Sequence, residues 1–160
     1  MSERSSLAAY LTDHMAASVS ASDLAKRAAQ NNEGPISIFF ADLAREIDTD
    51  RRTLKSIASR VEVQAHPLKQ AGAVAAERLS RFKIDHRVTG SAHLSSLLEL
   101  ELLYLGIEGK LILWRTLQAV AIKDQRLADF DFGKLSARAQ EQRDAVEEQR
   151  LKAAEGALAV

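Results

Sequence analysis

Leu97 to Ile122 reads LLELELLYLGIEGKLILWRTLQAVAI, and the reading of this run decides the fold. It is long enough and apolar enough to suggest a membrane span. Glu99, Glu101, Glu108, Lys110 and Arg115 interrupt it, however, and a lone span in a bilayer does not tolerate that density of charge. The run is therefore read as one helix buried inside a protein. Leucine, isoleucine or tryptophan occupy most of its circumference, more than one bundle face can use.

Working outward, two prolines and seven glycines in 160 residues, with 3.6-residue periodicity and hardly any β-branched alternation, predict helix almost everywhere and no strand. A first helix is expected from about Ser5 to about Asn31, stopped by Asn31, Asn32, Glu33, Gly34 and Pro35. A second begins near Pro35; its apolar positions Ile36, Phe40, Leu43, Ile47, Leu54, Ile57 and Val61 recur at spacings of three and four, and it ends before His66 and Pro67. Val61 to Ser91 reads as a long crossover carrying one short amphipathic helix, Leu68 to Phe82. A third helix runs from Ser91 to about Lys123. After Asp124 to Gly133, where Phe130 and Phe132 are expected to plug the bundle end, a fourth occupies about Lys134 to Ala159. The expectation is one all-α domain spanning residues 1–160, an antiparallel four-helix bundle with a crossover between helices two and three.

Composition narrows the function classes. At 46% hydrophobic residues the chain can bury a core of single-domain size. Lys plus Arg equals Asp plus Glu at 22 each, so no field of one sign steers it to nucleic acid or an anionic membrane. Cysteine is absent, which removes disulfides, thiolate metal sites and cysteine nucleophiles. Met1 to Ala9 has no apolar stretch of signal-peptide length, and a cytoplasmic location is expected. Gly106 and Gly109 lie inside a helix, away from the strand-turn-helix setting of a phosphate loop, and are read as permitting close helix approach. Ser95 and Ser96 have no nucleophile-elbow surroundings.

Tyr10-Leu-Thr-Asp-His14, Leu43-Ala-Arg-Glu-Ile-Asp-Thr-Asp50 and Leu100 to Trp114, with four long helices joined by one crossover, resemble bacterial ferritin-like four-helix-bundle proteins. In metal-binding members two helices each give a Glu and two carry Glu-x-x-His, enclosing two ions. No Glu-x-x-His occurs in this chain, and helix four has no histidine.

Helical counting then places polar residues on apolar faces, where a charge needs a partner. His14 follows Leu7 and Leu11; Asp50 stands in the row Leu43, Ile47, Leu54, Ile57. Glu101, Glu108 and Arg115 lie one heptad apart on a side shared with Leu94, Leu97, Leu105 and Ile112, while the opposite side holds Leu103, Trp114 and Leu117 around Glu99 and Lys110. Arg138 and Gln142 fall near the face of Leu135, Ala139 and Val146. Two readings compete for the expected layer of His14, Glu46, Asp50, Glu101, Glu108, Arg115, Arg138 and Gln142. The first is a buried ionic network in which the arginines neutralise the carboxylates, in a non-catalytic structural, interaction or stress-related protein. The second is a degenerate ferritin-type site in which His14, Glu46, Asp50, Glu101 and Glu108 are the candidate ligands of a divalent Fe, Mn or Zn ion, in a metal-binding or redox protein. General acid and base catalysis has no support beyond the carboxylates themselves. His66 reads as a turn residue, His86 as part of a solvated basic cluster with Arg81, Lys83 and Arg87, and His93 as a capping or surface residue. The surplus apolar surface of helix three is expected to pack on the crossover helix or to make a homodimer through Leu103, Ile107 and Trp114, with Lys110 at the rim.

Overall fold

The structure, a computed structural model, describes residues 3–63 and 92–159. These form four long helices packed against one another: α1 (Glu3–Asn31), α2 (Gly34–Arg60), α3 (Ala92–Ala121) and α4 (Phe132–Leu158), with one 3-10 turn at Gln125–Leu127. Among the described residues there is no strand. The crossover helix expected over Leu68 to Phe82, and His66, Arg81, Lys83, His86 and Arg87, lie outside the described residues.

Local chemistry sets the breaks. α1 stops where the Asn32 side chain donates to the Ala28 carbonyl at 2.8 Å and Ser37 donates to the Ala29 carbonyl at 2.7 Å, satisfying acceptors that the helix end would leave open. Gly34 then adopts φ +68°, a backbone region that glycine enters without penalty, and Pro35 occupies the first turn of α2. Asp131 caps α4 by accepting from the Lys134 amide at 2.9 Å, so this helix begins at Phe132, two residues before the expected Lys134.

α1 packs along α2 and α3 along α4, and the two pairs meet most closely between α1 and α3. The apolar interior falls into two clusters. One gathers Leu11, Leu54, Ile57, Leu111, Leu113, Trp114, Leu117, Leu127, Phe132 and Ala139. The other gathers Leu24, Ala25, Ala28, Phe40, Leu43, Ile47, Leu100, Leu103, Ile107 and Val146. Phe132 is 3% exposed, and both it and the half-buried Phe130 pack on the first cluster, their rings 6.1 Å apart.

The seam between the clusters is where the sequence is polar. On α2 it falls between Ile47 and Leu54, on α3 between Ile107 and Leu111, and on α4 between Ala139 and Val146. Asp50, Lys110 and Gln142 are the residues at those places. On α1, between Leu11 and Leu24, stand His14, Ala17, Ser18 and Ala21.

Candidate functional site

Asp50 is the centre of the seam and is 3% exposed. A carboxylate this deep persists only if its charge is matched and its lone pairs are engaged. Lys110 of α3 donates to Oδ2 at 2.5 Å, and the Arg138 guanidinium of α4 donates to Oδ1. Gln142, also from α4, donates from Nε2 to Oδ2 at 3.3 Å, while its own Oε1 accepts from Lys110. One anion, two cations and an amide from three helices thus close a single network. Burial pushes the Lys110 ammonium below its usual pKa of 10.5; Asp50 opposes that shift, Arg138 adds to it, and Glu46 weakly opposes it.

The residues expected in the layer divide. Asp50, Arg138 and Gln142 meet. Arg115 is exposed and stands outside the network, and Lys110 supplies the second cation in its place. Glu46 is exposed on α2. Glu108 pairs with Arg143 at 3.0 Å and Glu101 lies 3.9 Å from Arg150; both carboxylates are partly exposed and bind across the α3–α4 surface. His14 is half-buried, its ring edge-on to Tyr10 at 4.6 Å, and burial holds it below the ordinary 6.5 against the opposing effect of Asp13. His93 is exposed at the start of α3.

For the residues of α3 the difference has one cause, the rotational phase of that helix. Its inward side is the one that holds Lys110 and Glu99, while Leu105 and Ile112 on the side of Glu101 and Glu108 are 66% and 52% exposed. Leu103, Ile107 and Trp114, the surface expected to face a second copy, are buried within the chain itself at 1–2% exposure. The inner row Ser96, Leu100, Leu103, Ile107, Lys110, Trp114, Leu117, with the buried Glu99 beside it, carries two charges, whereas Leu94, Leu97, Glu101, Leu105, Glu108, Ile112, Arg115 carries three. Neither apolar content nor charge count separates the two rows cleanly, since Leu97 of the second row is itself 4% exposed.

Two further polar clusters were not read from the sequence. Glu99, 2% exposed, accepts from Asn32 Nδ2 at 3.0 Å, and Ser96 Oγ contacts Asn32 Oδ1, so the turn after α1 is tied to the start of α3. Asp48 on α2 accepts from Ser22 Oγ at 2.7 Å and pairs with Lys26 of α1 at 2.8 Å and Arg51 at 2.9 Å. These donors hold the Asp48 carboxyl well below its ordinary 3.8, the Lys26 and Ser22 contacts contributing most.

The donor set does not fit a divalent ion. Both oxygens of Asp50 already face cations, Glu101 and Glu108 are turned to arginines at the surface, and no group of three His, Asp or Glu side chains converges among the described residues. A dication beside Lys110 and Arg138 meets repulsion that one carboxylate does not offset. His14 and Asp50 do share one feature: both stand on the wall of a cavity of about 230 Å³ between α1, α2 and α3, together with Lys110 and Trp114.

Compared with family models, with curated proteins and with solved structures, the chain matches none of them.

The network predicts a specific pattern of stability. Asp50→Ala strands Lys110 and Arg138 without their anion and is expected to cost about 3–5 kcal/mol. Asp50→Ala combined with Lys110→Met is expected to recover at least half of that loss in urea unfolding; a double variant no more stable than Asp50→Ala would contradict the pairing. The Asp48 cluster predicts an acid limb. Because its folded pKa lies below 3.8, the stability it contributes is present above that value and is lost as pH falls beneath it. Asp48→Asn is therefore expected to be less stable at neutral pH but to lose less between pH 5 and pH 2, read as the urea midpoint; parallel pH profiles would show the carboxylate to be uncoupled.

Proposed function

We propose that this chain is an antiparallel, ferritin-like four-helix bundle that performs no chemistry of its own, a cytoplasmic structural or interaction protein in which a buried ionic layer stands where metal-binding relatives of that fold hold their ions. The observation that carries this reading is the 2.5 Å contact of Lys110 Nζ with Asp50, backed by Arg138 on the other oxygen. A cation supplied by the chain does the electrostatic work that a metal would do, and it does so without a ligand set. The layer's value lies in specificity: an aspartate that must meet partners on α3 and α4 penalises every rotation or slip of those helices. The antiparallel arrangement is supported by the two-residue link between α1 and α2 and by the pairing of α1 with α2 and α3 with α4. No helix among the described residues is long and apolar enough to cross a membrane.

A degenerate metal site is the second reading, and its support is the presence of His14 and Asp50 on one cavity wall. It requires Lys110 and Arg138 to yield to an ion. Self-association as a homodimer uses the exposed Leu105 and Ile112 of α3 rather than the buried Leu103, Ile107 and Trp114.

Protein purified without a histidine tag decides between the readings. Elemental analysis is expected to find Fe, Mn and Zn far below one equivalent per chain even after dialysis against each ion. One tightly held equivalent that is lost in Asp50→Asn would overturn the ionic-layer reading. Light scattering on the same sample is expected to give twice 17.6 kDa, and a mass near 17.6 kDa at micromolar concentration removes the dimer.

A further inference from the structure

One face of α3 is turned away from the bundle interior, and its centre is apolar. Leu105 and Ile112, both more than half exposed, lie two turns apart on it, about 10 Å along the helix axis. One exposed leucine needs no explanation, whereas two large side chains aligned on a helix face make an apolar strip. Gly109 stands between them, four residues after Leu105 and three before Ile112. A Cβ placed on Gly109 would meet nothing within 4 Å, and one on Gly106 would meet only the Ala21 Cβ at 3.9 Å, an ordinary contact. Neither glycine is needed for close approach of the helices within the chain, contrary to the expectation from sequence, and either would serve the helix better as alanine. Open space over Gly109 lets a further helix come close at the middle of the strip.

The charges on the same face say what fits there. Glu101 lies one turn before Leu105, and Arg115 lies one turn after Ile112. Arg115 is exposed and makes no hydrogen bond or ion pair among the described residues. Glu101 has Arg150 at 3.9 Å, but that guanidinium is bonded to Glu147 at 2.7 and 2.8 Å. The strip therefore reads acid, leucine, glycine, isoleucine, base, and it is complementary to its own reverse. When two copies of α3 lie antiparallel about a twofold axis between Glu108 and Gly109, Leu105 meets the partner's Ile112 and Glu101 comes beside the partner's Arg115, each contact occurring twice. Parallel packing sets glutamate against glutamate and arginine against arginine, which penalises that direction. Glu108, the remaining charge near the axis, is already neutralised by Arg143 at 3.0 Å.

We propose that the strip Glu101, Leu105, Gly109, Ile112 and Arg115 is the contact surface for a second copy of this chain, whose α3 lies antiparallel on the first. The proposal rests on the homodimer reading above and adds to it the direction, the register and the ion pairs. Burial of the leucine and isoleucine supplies the affinity, while the exposed ion pairs contribute little to it and select the direction. The cavity between α1 and α3 opens past Ala17, Leu105 and Gly106, so the same contact lies against its mouth.

Sedimentation velocity of the full chain over a range of concentrations separates these claims. Leu105→Asp is expected to raise the dimer Kd at least tenfold with the helical circular dichroism retained, since the side chain it replaces is exposed. Arg115→Glu is expected to raise it at least threefold, and Glu101→Arg combined with Arg115→Glu to return it to within twofold of the wild type. Direction is read separately by disulfide formation, because the chain has no cysteine of its own. Leu105→Cys and Ile112→Cys proteins, mixed and oxidised, are expected to link to each other and not each to itself. A wild type that stays at 17.6 kDa at high micromolar concentration removes the homodimer and this surface with it. A wild-type dimer unmoved by Leu105→Asp leaves the homodimer standing and overturns the surface. Leu105→Cys protein that links to itself overturns the antiparallel direction, and a charge-reversed double variant as weak as Arg115→Glu overturns the ion pairs.

Discussion

A carboxylate at the middle of an apolar bundle is the constraint from which the remaining architecture follows. Asp50 is tolerable at 3% exposure only because α3 and α4 deliver Lys110, Arg138 and Gln142 to it. Each of those side chains reaches the aspartate from one rotational phase of its helix. The leucine-rich surface of α3 would otherwise allow several. Apolar packing alone rewards any burial of Leu100, Leu103, Leu105 or Ile112, whereas the ionic layer rewards only the arrangement that turns Lys110 inward and leaves Leu105 and Ile112 outside. The division of the core into two clusters on either side of the layer is the visible result.

The same layer is asymmetric, and the asymmetry separates two roles. Toward α4 it is closed by hydrogen bonds and charge, which favours a fixed structure over a reactive one, since both oxygens of the central carboxylate are engaged. Toward α1 it is open, because Ala17, Ser18 and Ala21 face Gly106 and Gly109 and leave a cavity beside Trp114.

How far this was legible in the sequence differs from helix to helix. The four long helices follow from periodicity and from the Asn32 to Pro35 break, and the burial of Asp50 follows from its row on α2, where Leu43, Ile47, Leu54 and Ile57 leave one possible inner face. α3 gave no such answer, because a helix that is apolar all round has no phase written in its hydrophobic residues. What marks its inner side is that the charges there find buried partners, Glu99 with Asn32 and Lys110 with Asp50, and those partners stand on other helices and turns. Reading carboxylates as site candidates favoured Glu101 and Glu108 over Lys110, and so placed a surface pair of ion bridges inside the bundle. The cavity was invisible for a different reason. It is made of atoms that are absent, and only the relative placement of α1 and α3 shows that Gly106 and Gly109 face space rather than a neighbour.

The central claim is that Lys110 is a buried cation bonded to Asp50, and the most direct test is nuclear magnetic resonance of the lysine side-chain ammonium groups through a pH titration. The account predicts one lysine, assigned by its loss in Lys110→Met, that titrates below the ordinary 10.5, exchanges its ammonium protons slowly, and moves lower still in Asp50→Asn. A Lys110 signal that titrates with the surface lysines and is indifferent to Asp50→Asn would contradict it, and with it the ionic layer that sets the phase of α3.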